Sequence, residues 1–210
     1  MKQKSDLRVR LFSRGNMIIT GGIYRGQKIE TLKNNDVRPT SSKVRQSLFN
    51  MIFSLGHGGG SFLDLFSGSG IMGIEAMSRG FEKSIFIEKN PSTARLIEGN
   101  LRKLKISSKP VVTDAIRFLE NTNEHFDVIF ADPPYAKEEL FHEVLRIVSS
   151  RRLLTEDGLL IVEKPVALKL YAEDRYEVLK DKTYGTTGLV VLSVRKEENH
   201  SETDSFVSCR

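Results

Sequence analysis

Short apolar runs alternate with helical patterns through the middle of the chain. The apolar runs span Phe62–Phe66, Ser84–Glu88, Val111–Thr113, Asp127–Ala131 and Leu159–Glu163. Between them, apolar residues recur every three or four positions, as they do in Ala94–Leu104 and Phe141–Val148. Nearly continuous apolar strands that alternate with helices are typical of a parallel sheet covered by helices on both faces. The pattern therefore predicts an α/β fold from residue 61 onward.

The end of the chain follows a different pattern. Tyr176–Lys180 and Leu189–Val194 have the composition of strands, and a turn rich in glycine and threonine separates them. The connection is too short for a crossover helix, so we expect this pair of strands to be antiparallel. The polar residues 197–210 are predicted to form a fraying tail.

The beginning of the chain is polar and then strand-like. We predict a flexible basic arm over residues 1–16, because this segment has little periodicity. The strand-like segments Met17–Thr20 and Gln27–Leu32 flank the glycine-containing segment Gly21–Gly26, which predicts a β-hairpin.

A helix is predicted between the hairpin and the α/β region. Pro39 breaks the chain, and apolar residues at helical spacing over Val44–Leu55 indicate a helix that Ser41 or Thr40 would cap. Gly56–Gly60 is predicted to be a linker.

Length and composition are typical of a globular protein of one or two domains. The chain has 210 residues, of which 39% are hydrophobic and 28% charged. The longest charge-free run, Gln46–Leu63, contains four glycines and several polar residues, so we expect no membrane span. The single cysteine, Cys209, excludes an internal disulfide, and the four histidines show no metal-binding spacing. The basic start lacks an apolar segment after it, so we expect no signal peptide and a cytoplasmic protein.

Positive charge is concentrated at the amino end. The net charge is +5, yet residues 1–50 alone hold eleven lysines and arginines against three acidic residues. A basic arm on a nearly neutral body is typical of a protein that binds a polyanion, although a solvated tail or an exposed helix face would look the same. The candidate phosphate contacts are Arg8, Arg10, Arg14, Arg25, Lys28 and Arg45.

A glycine-rich segment directly follows the first strand of the α/β region. Gly68, Gly70 and Gly73 fit the spacing G-x-G-x-x-G, which lets the backbone turn sharply and approach a ligand at a helix amino end. Glu88 ends the next strand, where a carboxylate can accept both hydroxyls of a ribose. These residues suit a dinucleotide or S-adenosylmethionine, and a glycine turn without a ligand would also fit.

Two aspartates favour S-adenosylmethionine. Asp64 precedes the glycines, where it can meet the amino group of the methionine part, whereas a pyrophosphate would gain nothing from a carboxylate there. Asp114 follows the third strand, where it can accept a hydrogen bond from the adenine amine. Either residue can instead be a turn or cap residue, and Asp114 is well placed to cap a helix over Ala115–Glu120.

The segment Asp132-Pro133-Pro134-Tyr135 lies at the carboxyl end of the fourth strand, where open α/β sheets bind their ligands. The two prolines stiffen the loop and remove two N–H donors. The Asp132 carboxylate and the Pro133 carbonyl can each accept a hydrogen bond from one exocyclic amine, and Tyr135 offers a ring on which a base can stack. The alternative is a proline turn that only ends the strand.

These motifs resemble a known family. Asp132–Tyr135 resembles the signature of N-methyltransferases that act on amino groups of nucleic acids, and Asp64–Gly73 resembles their cofactor motif. Four further segments are similar to the bacterial 16S (small-subunit) ribosomal RNA guanine-N2 methyltransferases, namely Ile18–Gln27, Arg38–Thr40, Val44–Asn50 and Gly73–Gly80. The resemblance covers Met17 to Val194. Ser42-Lys43 departs from it, since the family usually has an Asp-Arg pair there.

The resemblance implies the class I methyltransferase fold, a Rossmann-like, mostly parallel sheet of seven strands whose last strand is antiparallel. It implies a methyltransferase domain over residues 61–196, preceded by a hairpin and helix over residues 17–55 that bind RNA and close the cofactor site. The implied cofactor-binding residues are Asp64, Gly68, Gly70, Glu88, Asp114, Ala115, Arg38 and Thr40. The implied catalytic residues, which hold the guanine, are Asp132, Pro133, Pro134 and Tyr135.

The expected reaction is transfer of a methyl group from S-adenosylmethionine to the N2 amine of a guanine in 16S ribosomal RNA. The expected partner is that RNA within the small ribosomal subunit or an assembly intermediate, the enzyme is expected to be a monomer, and no metal is expected. The alternatives are methylation of adenine N6 or cytosine N4 in RNA or DNA, a nicotinamide-dependent oxidoreductase, and a non-catalytic ribosome-assembly factor.

Overall fold

The computed structural model describes residues 14–32, 41–171 and 175–195. Its strands are β1 (Arg14–Ile18), β2 (Lys28–Leu32), β3 (Ser61–Asp64), β4 (Lys83–Glu88), β5 (Pro110–Val112), β6 (Phe126–Ala131), β7 (Leu154–Pro165), β8 (Tyr176–Tyr184) and β9 (Thr187–Val194). Its helices are α1 (Ser42–Ser54), α2 (Ile71–Ser78), α3 (Pro91–Leu104), α4 (Ala115–Asn121) and α5 (Glu138–Ser150). In the described ranges, no helix combines the length and the apolar character needed to cross a bilayer.

Seven strands form the main sheet, in the order β5-β4-β3-β6-β7-β9-β8. The strands from β5 to β7 pair in parallel, whereas β9 is antiparallel to both of its neighbours. This arrangement confirms the predicted parallel sheet, the antiparallel final pair, and the seven-stranded fold with an antiparallel last strand. The outer strand β5 has three residues and begins with Pro110, and the other outer strand, β8, carries four charged residues, Glu177, Lys180, Asp181 and Lys182.

Alternate residues of each central strand are buried on opposite faces of the sheet. Phe62 and Phe130 belong to a core cluster that includes residues of α1, α2, α3 and the hairpin. Leu63 and Ile129 belong to a second cluster, formed with α4 and α5. Both faces are therefore covered by helices, which explains why these strands carry apolar residues on both faces.

The helix α1 begins where the sequence predicts. The Ser41 hydroxyl accepts a hydrogen bond from the Val44 N–H at 3.3 Å and so caps the helix, while the other candidate cap, Thr40, lies outside the described residues. Phe49 of α1 stacks on Phe62 of β3, with 6.1 Å between the ring centroids. The packing of α1 against the sheet makes it part of the main core.

The predicted hairpin is formed by β1 and β2, which pair antiparallel. The strand β1 starts earlier than predicted, because Arg14, Gly15 and Asn16 pair with β2, so these residues do not belong to the arm assigned to residues 1–16. Residues 1–13 and 196–210, which contain the rest of the predicted arm and the predicted tail, lie outside the described residues.

The hairpin turn is held against the end of α2. The Ile23 N–H donates to the Ser78 carbonyl at 2.7 Å, and the Ser78 hydroxyl donates to the Gly21 carbonyl at 2.6 Å. Gly22 has a φ of 77°, and a Cβ atom there would lie 1.7 Å from the Ser78 carbonyl oxygen. This close approach requires glycine.

The strand β2 is held in turn by α3. Asn100 accepts a hydrogen bond from the Glu30 N–H at 2.8 Å and donates one to the Glu30 carbonyl at 2.9 Å. The hairpin therefore packs on two helices of the main domain at separate points, so it is a fixed part of the fold.

Candidate active site

The glycine loop between β3 and α2 forms one side of the site. Gly68 and Gly70 have φ values of 53° and 77°, in the left-handed region that favours glycine. A Cβ atom on Gly68 would meet no atom closer than the Phe66 carbonyl oxygen at 4.0 Å, so the space in front of this residue is open. The loop has the shape that a ligand needs to approach the backbone closely.

The third glycine of the motif has a different role. Gly73 lies within α2, where a Cβ atom would come within 2.3 Å of the Phe86 ring and 2.7 Å of the Ser84 hydroxyl. Gly73 therefore allows α2 to pack directly on β4, which places the amino end of α2 at the carboxyl edge of the sheet.

Asp64 joins the end of β3 to α2. Its Oδ2 atom accepts a hydrogen bond from the Gly73 N–H at 3.0 Å, and the side chain is fully buried. Burial raises the pKa of Asp64 to about 7, opposed by the Gly73 N–H and assisted by the charge of Glu88. The structure thus places Asp64 behind the glycine loop, and the predicted contact with the cofactor amino group stays a prediction.

Glu88 lies on the other side of the glycine loop, at the end of β4. Its Oε2 atom accepts a hydrogen bond from the Gly68 N–H at 3.0 Å, and its Oε1 atom accepts one from the Asn90 N–H at 2.7 Å. Burial raises the pKa of Glu88, while these N–H groups lower it. Glu88 is partly buried, so its carboxylate is both fixed and open to a ligand.

Asp114 is a helix cap. Its Oδ1 atom accepts hydrogen bonds from the Ile116 and Arg117 N–H groups at 3.0 and 3.4 Å, and its other oxygen lies 3.9 Å from the Lys89 ammonium. Ala115, the first residue of α4, is buried. The capping alternative is therefore confirmed, and an adenine contact at this position stays a prediction.

The predicted corner Asp132–Tyr135 follows β6 at the same edge of the sheet. Asp132 is partly buried and Pro133 is buried, whereas Pro134 is exposed and Tyr135 is 41% exposed. The Pro134 carbonyl accepts a hydrogen bond from the Lys137 N–H at 2.9 Å, which closes the turn. The corner presents an acidic group and, three residues later, an accessible ring.

The carboxylates of this edge lie on one face of the sheet. Asp64 pairs with Phe130 of β6, and Ala131 pairs with Val162 of β7. Side chains alternate along a strand, so Asp132 lies on the same face as Phe130, which is also the face of Asp64. Asp132 and Asp64 therefore lie on the same face, and the Asp132 corner and the glycine loop follow neighbouring strands.

Glu163 joins this group from β7, and the sequence analysis did not identify it. Glu163 follows Val162, is 3% exposed, and lies beside Asp132. Burial, then the charge of Glu163, then that of Asp64 hold the pKa of Asp132 well above its usual range. The sequence does contain a signal for Glu163, because this carboxylate ends the apolar run Leu159–Glu163 and so lies at the edge of the sheet where ligands bind.

Arg45 is not a phosphate contact, so that prediction is wrong. The side chain is 1% exposed, and its Nη2 atom donates to the Ile18 carbonyl at 2.8 Å. Its Nε atom lies 3.4 Å from the Glu75 Oε1 atom in a buried ion pair. Burial lowers the pKa of Arg45, while the charge of Glu75 raises it. Arg45 thus joins α1 to the hairpin and to α2.

The structure describes only some of the other predicted phosphate contacts. Arg25 and Lys28 are exposed on the hairpin, and Arg14 begins β1. The predicted phosphate contacts Arg8 and Arg10 lie outside the described residues, as do the predicted cofactor residues Arg38 and Thr40. Among the residues that the structure describes, no group of histidine, cysteine or acidic side chains has the arrangement of a metal site.

Comparison with known proteins identifies a matching family and several proteins with similar sequences. The profile of a family described as Conserved hypothetical protein 95 matches residues 17–193. The Bacillus subtilis protein YlbH is 36% identical over 186 residues, which cover 85% of this chain and 100% of YlbH. Ribosomal RNA small subunit methyltransferase D of Haemophilus influenzae is 32% identical over 192 residues, which cover 89% of this chain and 96% of that protein.

Solved structures share the fold as well. The structure of a protein from Thermus thermophilus superposes with a TM-score of 0.73 at 31% identity, and the match covers 85% of this chain and 99% of that chain. The family match extends from Met17 in the hairpin to Ser193 in β9.

Proposed function

We propose that this chain, which belongs to the family described as Conserved hypothetical protein 95, methylates the exocyclic N2 amine of a guanine in 16S ribosomal RNA. The chain has the class I methyltransferase fold. A relative that is 32% identical over most of both chains is named a small-subunit ribosomal RNA methyltransferase, which supports the choice of RNA.

The methyl donor is S-adenosylmethionine, and the residues of the glycine loop fit it. The open space in front of Gly68 and its left-handed backbone leave room for a ligand against the chain. Glu88 is fixed beside this space with a partly exposed carboxylate, which suits the two ribose hydroxyls. When bound, the cofactor supplies an electrophilic methyl group on a sulfonium ion. Asp64 holds α2 behind the loop through Gly73.

One observation supports the proposal: the glycine loop and the Asp132 corner follow the neighbouring parallel strands β3 and β6 at their carboxyl ends, so both lie at the same edge of the sheet. An amine held by the Asp132 carboxylate and the Pro133 carbonyl would thus face the cofactor. Most of the catalytic effect is then positioning, together with a negative group placed where positive charge develops on the nitrogen. The exposed ring of Tyr135 provides a surface on which the target base stacks after it leaves its helix.

The hairpin is the proposed RNA contact within the described residues. Its turn carries the exposed Arg25, and Lys28 is exposed at the start of β2. The hairpin is fastened to α2 and α3, so phosphate contacts made there would place the RNA at a fixed distance from the site.

The experiment uses the purified full chain, radiolabelled S-adenosylmethionine, and small ribosomal subunits reconstituted from unmodified 16S transcript. The RNA is digested and the labelled nucleoside is identified. We expect N2-methylguanosine. Labelled N6-methyladenosine or N4-methylcytidine would contradict guanine as the target, and absence of any label in RNA would contradict the proposal as a whole.

The variant Asp132→Ala links the activity to the site. We expect turnover to fall about 10²–10³-fold, because a group that stabilises developing charge is removed. The dissociation constant for S-adenosylmethionine, measured by calorimetry, is expected to stay near the wild-type value. Nearly normal turnover in this variant would remove Asp132 from the mechanism.

A further inference from the structure

Glu163 is a buried carboxylate that has no role in the proposed function as stated above. It lies on β7, next to the strand that ends at Asp132. Ala131 and Val162 are paired in register, so Asp132 and Glu163 follow as neighbours one residue later. Phe130 and Ile161 are paired as well and share one core cluster, which places both carboxylates on that face of the sheet.

The charged groups around Glu163 come from three other elements. Asp64 on β3 and Asp132 after β6 are carboxylates on the same face. Arg45 on α1 is the nearby cation, since the charge of Glu163 contributes to raising the pKa of Arg45. Glu88 on β4 is one strand further away and acts on Asp64.

The position of Arg45 is fixed independently of Glu163. Its guanidinium donates to the Ile18 carbonyl at 2.8 Å and to the Ser42 hydroxyl at 3.2 Å, and it pairs with Glu75. The charge of Glu163 thus acts both on this fixed cation and on the Asp132 carboxylate.

We propose that Glu163 is a positioning residue that acts through Asp132 and makes Asp132 the acceptor of the proton that the methylated amine releases. This inference rests on the proposed function, because it assigns a role within the same site. Glu163 itself need not touch the base.

The proton transfer follows methylation. As the N–C bond forms from the nitrogen lone pair, the S–C bond breaks and its electron pair stays on sulfur, so the nitrogen becomes positively charged and carries the methyl group and two hydrogens. One N–H bond then breaks, its electron pair stays on nitrogen, and an O–H bond forms at an Asp132 carboxylate oxygen. A neighbouring negative charge raises the affinity of a carboxylate for a proton, so the location of Glu163 favours this acceptor.

The test is the pH dependence of kcat for Glu163→Gln, which keeps the shape of the side chain and removes its charge. Without that charge the pKa of Asp132 falls, so Asp132 stays ionised to lower pH. We expect the acid limb of the kcat profile to move down by about one pH unit or more. The plateau rate is expected to fall as well, because Asp132 becomes a weaker base, while the affinity for S-adenosylmethionine is retained.

The matched control is Glu177→Gln, which removes a charge from an exposed position on β8 and is expected to keep the wild-type profile. An acid limb at the wild-type pH in Glu163→Gln would overturn the inference. If the wild-type protein transfers no methyl group to RNA, the proposed function fails instead, so the two failures are distinguishable.

A second measurement does not depend on activity or on the folding of Glu163→Gln. Carbon-13 NMR follows the carboxyl titrations of the wild-type protein and of Asp132→Asn. Coupling between two carboxylates is reciprocal, so we expect the Glu163 titration to move to lower pH in Asp132→Asn. Identical Glu163 titrations in both proteins would show that the two carboxylates do not interact, which would refute the inference.

Discussion

Glu75 is the centre of a buried ionic cluster, and its replacement by glutamine tests what holds the hairpin to the domain. Its Oε1 atom accepts from the Thr20 N–H at 2.6 Å and lies 3.4 Å from Arg45 Nε. Its Oε2 atom accepts from the Thr20 hydroxyl and from Arg79 Nε, both at 3.1 Å. The side chain of Glu75 is 0% exposed, so four donors depend on a single carboxylate.

In Glu75→Gln one oxygen is replaced by an amide NH2 group, which faces two donors and can accept from neither. The guanidinium of Arg45 is then buried without its counter-ion. Removing one partner of a buried ion pair costs about 3–5 kcal/mol. For a chain of this size such a loss lowers Tm by about 6–20 °C.

The assay is urea and thermal unfolding followed by circular dichroism, with hydrogen exchange at the Thr20 amide as a local readout. We expect faster exchange at Thr20, because its N–H bonds to the Glu75 carboxylate and a weakened cluster lets the hairpin open more often. The matched control is Glu124→Gln, since Glu124 pairs with Lys83 at the surface and exposed ion pairs contribute about 0–1 kcal/mol. If Glu75→Gln unfolds at the same urea concentration as Glu124→Gln, the buried cluster does not stabilise the hairpin as argued.

Three further predictions concern the site and the RNA contact. Gly73→Ala is expected to destabilise the protein by about 1–3 kcal/mol in urea unfolding, because the new Cβ atom would lie 2.3 Å from the Phe86 ring. The same displacement of α2 is expected to weaken S-adenosylmethionine binding, and an unchanged cofactor affinity would contradict the role of α2 packing. The pKa of Asp64 is about 7 in the folded protein and 3.8 in the unfolded chain, so the folded protein binds a proton at this carboxylate more readily. The contribution of Asp64 to the free energy of unfolding therefore falls as the pH rises from about 4 to 7. Asp64→Asn should remove a contribution of up to about 1.4 kcal/mol per pH unit from that slope in unfolding experiments at several pH values, and an unchanged slope would refute the assignment. The double variant Arg25→Ala with Lys28→Ala should weaken RNA binding and reduce the salt slope by about 1 for each phosphate that is no longer neutralised, whereas an unchanged slope in a salt titration would exclude these two residues as phosphate ligands.

The sheet and the location of the site could be predicted because they follow from local pattern. Short apolar strands alternating with helices determine a parallel sheet, and the carboxyl ends of its strands must share one edge. Recognition of the strands before the glycine loop and before Asp132 is therefore enough to predict that the two segments lie at the same edge of the sheet. For Asp114 the pattern allowed both a helix cap and a ligand contact, since both roles need an oxygen at the same position, and the structure shows the cap.

Arg45 and Glu163 could not be assigned because their partners are distant in sequence. Arg45 lies on the same helix face as Leu48, Phe49 and Ile52, yet its charge made it a candidate for phosphate. Its burial is compensated by Glu75 on another helix, which supplies an ion-pair partner. The role of Glu163 depends on the register between two strands, which composition and periodicity do not determine.

The outer strands of the sheet have a consequence for how the protein behaves at high concentration. An open sheet can recruit a strand from another molecule, and long apolar edges promote fibril growth. Here β5 offers only three residues and begins with Pro110, which has no N–H to donate, and β8 carries Glu177, Asp181 and Lys182 exposed along its length. Both borders of the main sheet are therefore poor templates for pairing with a strand of another molecule.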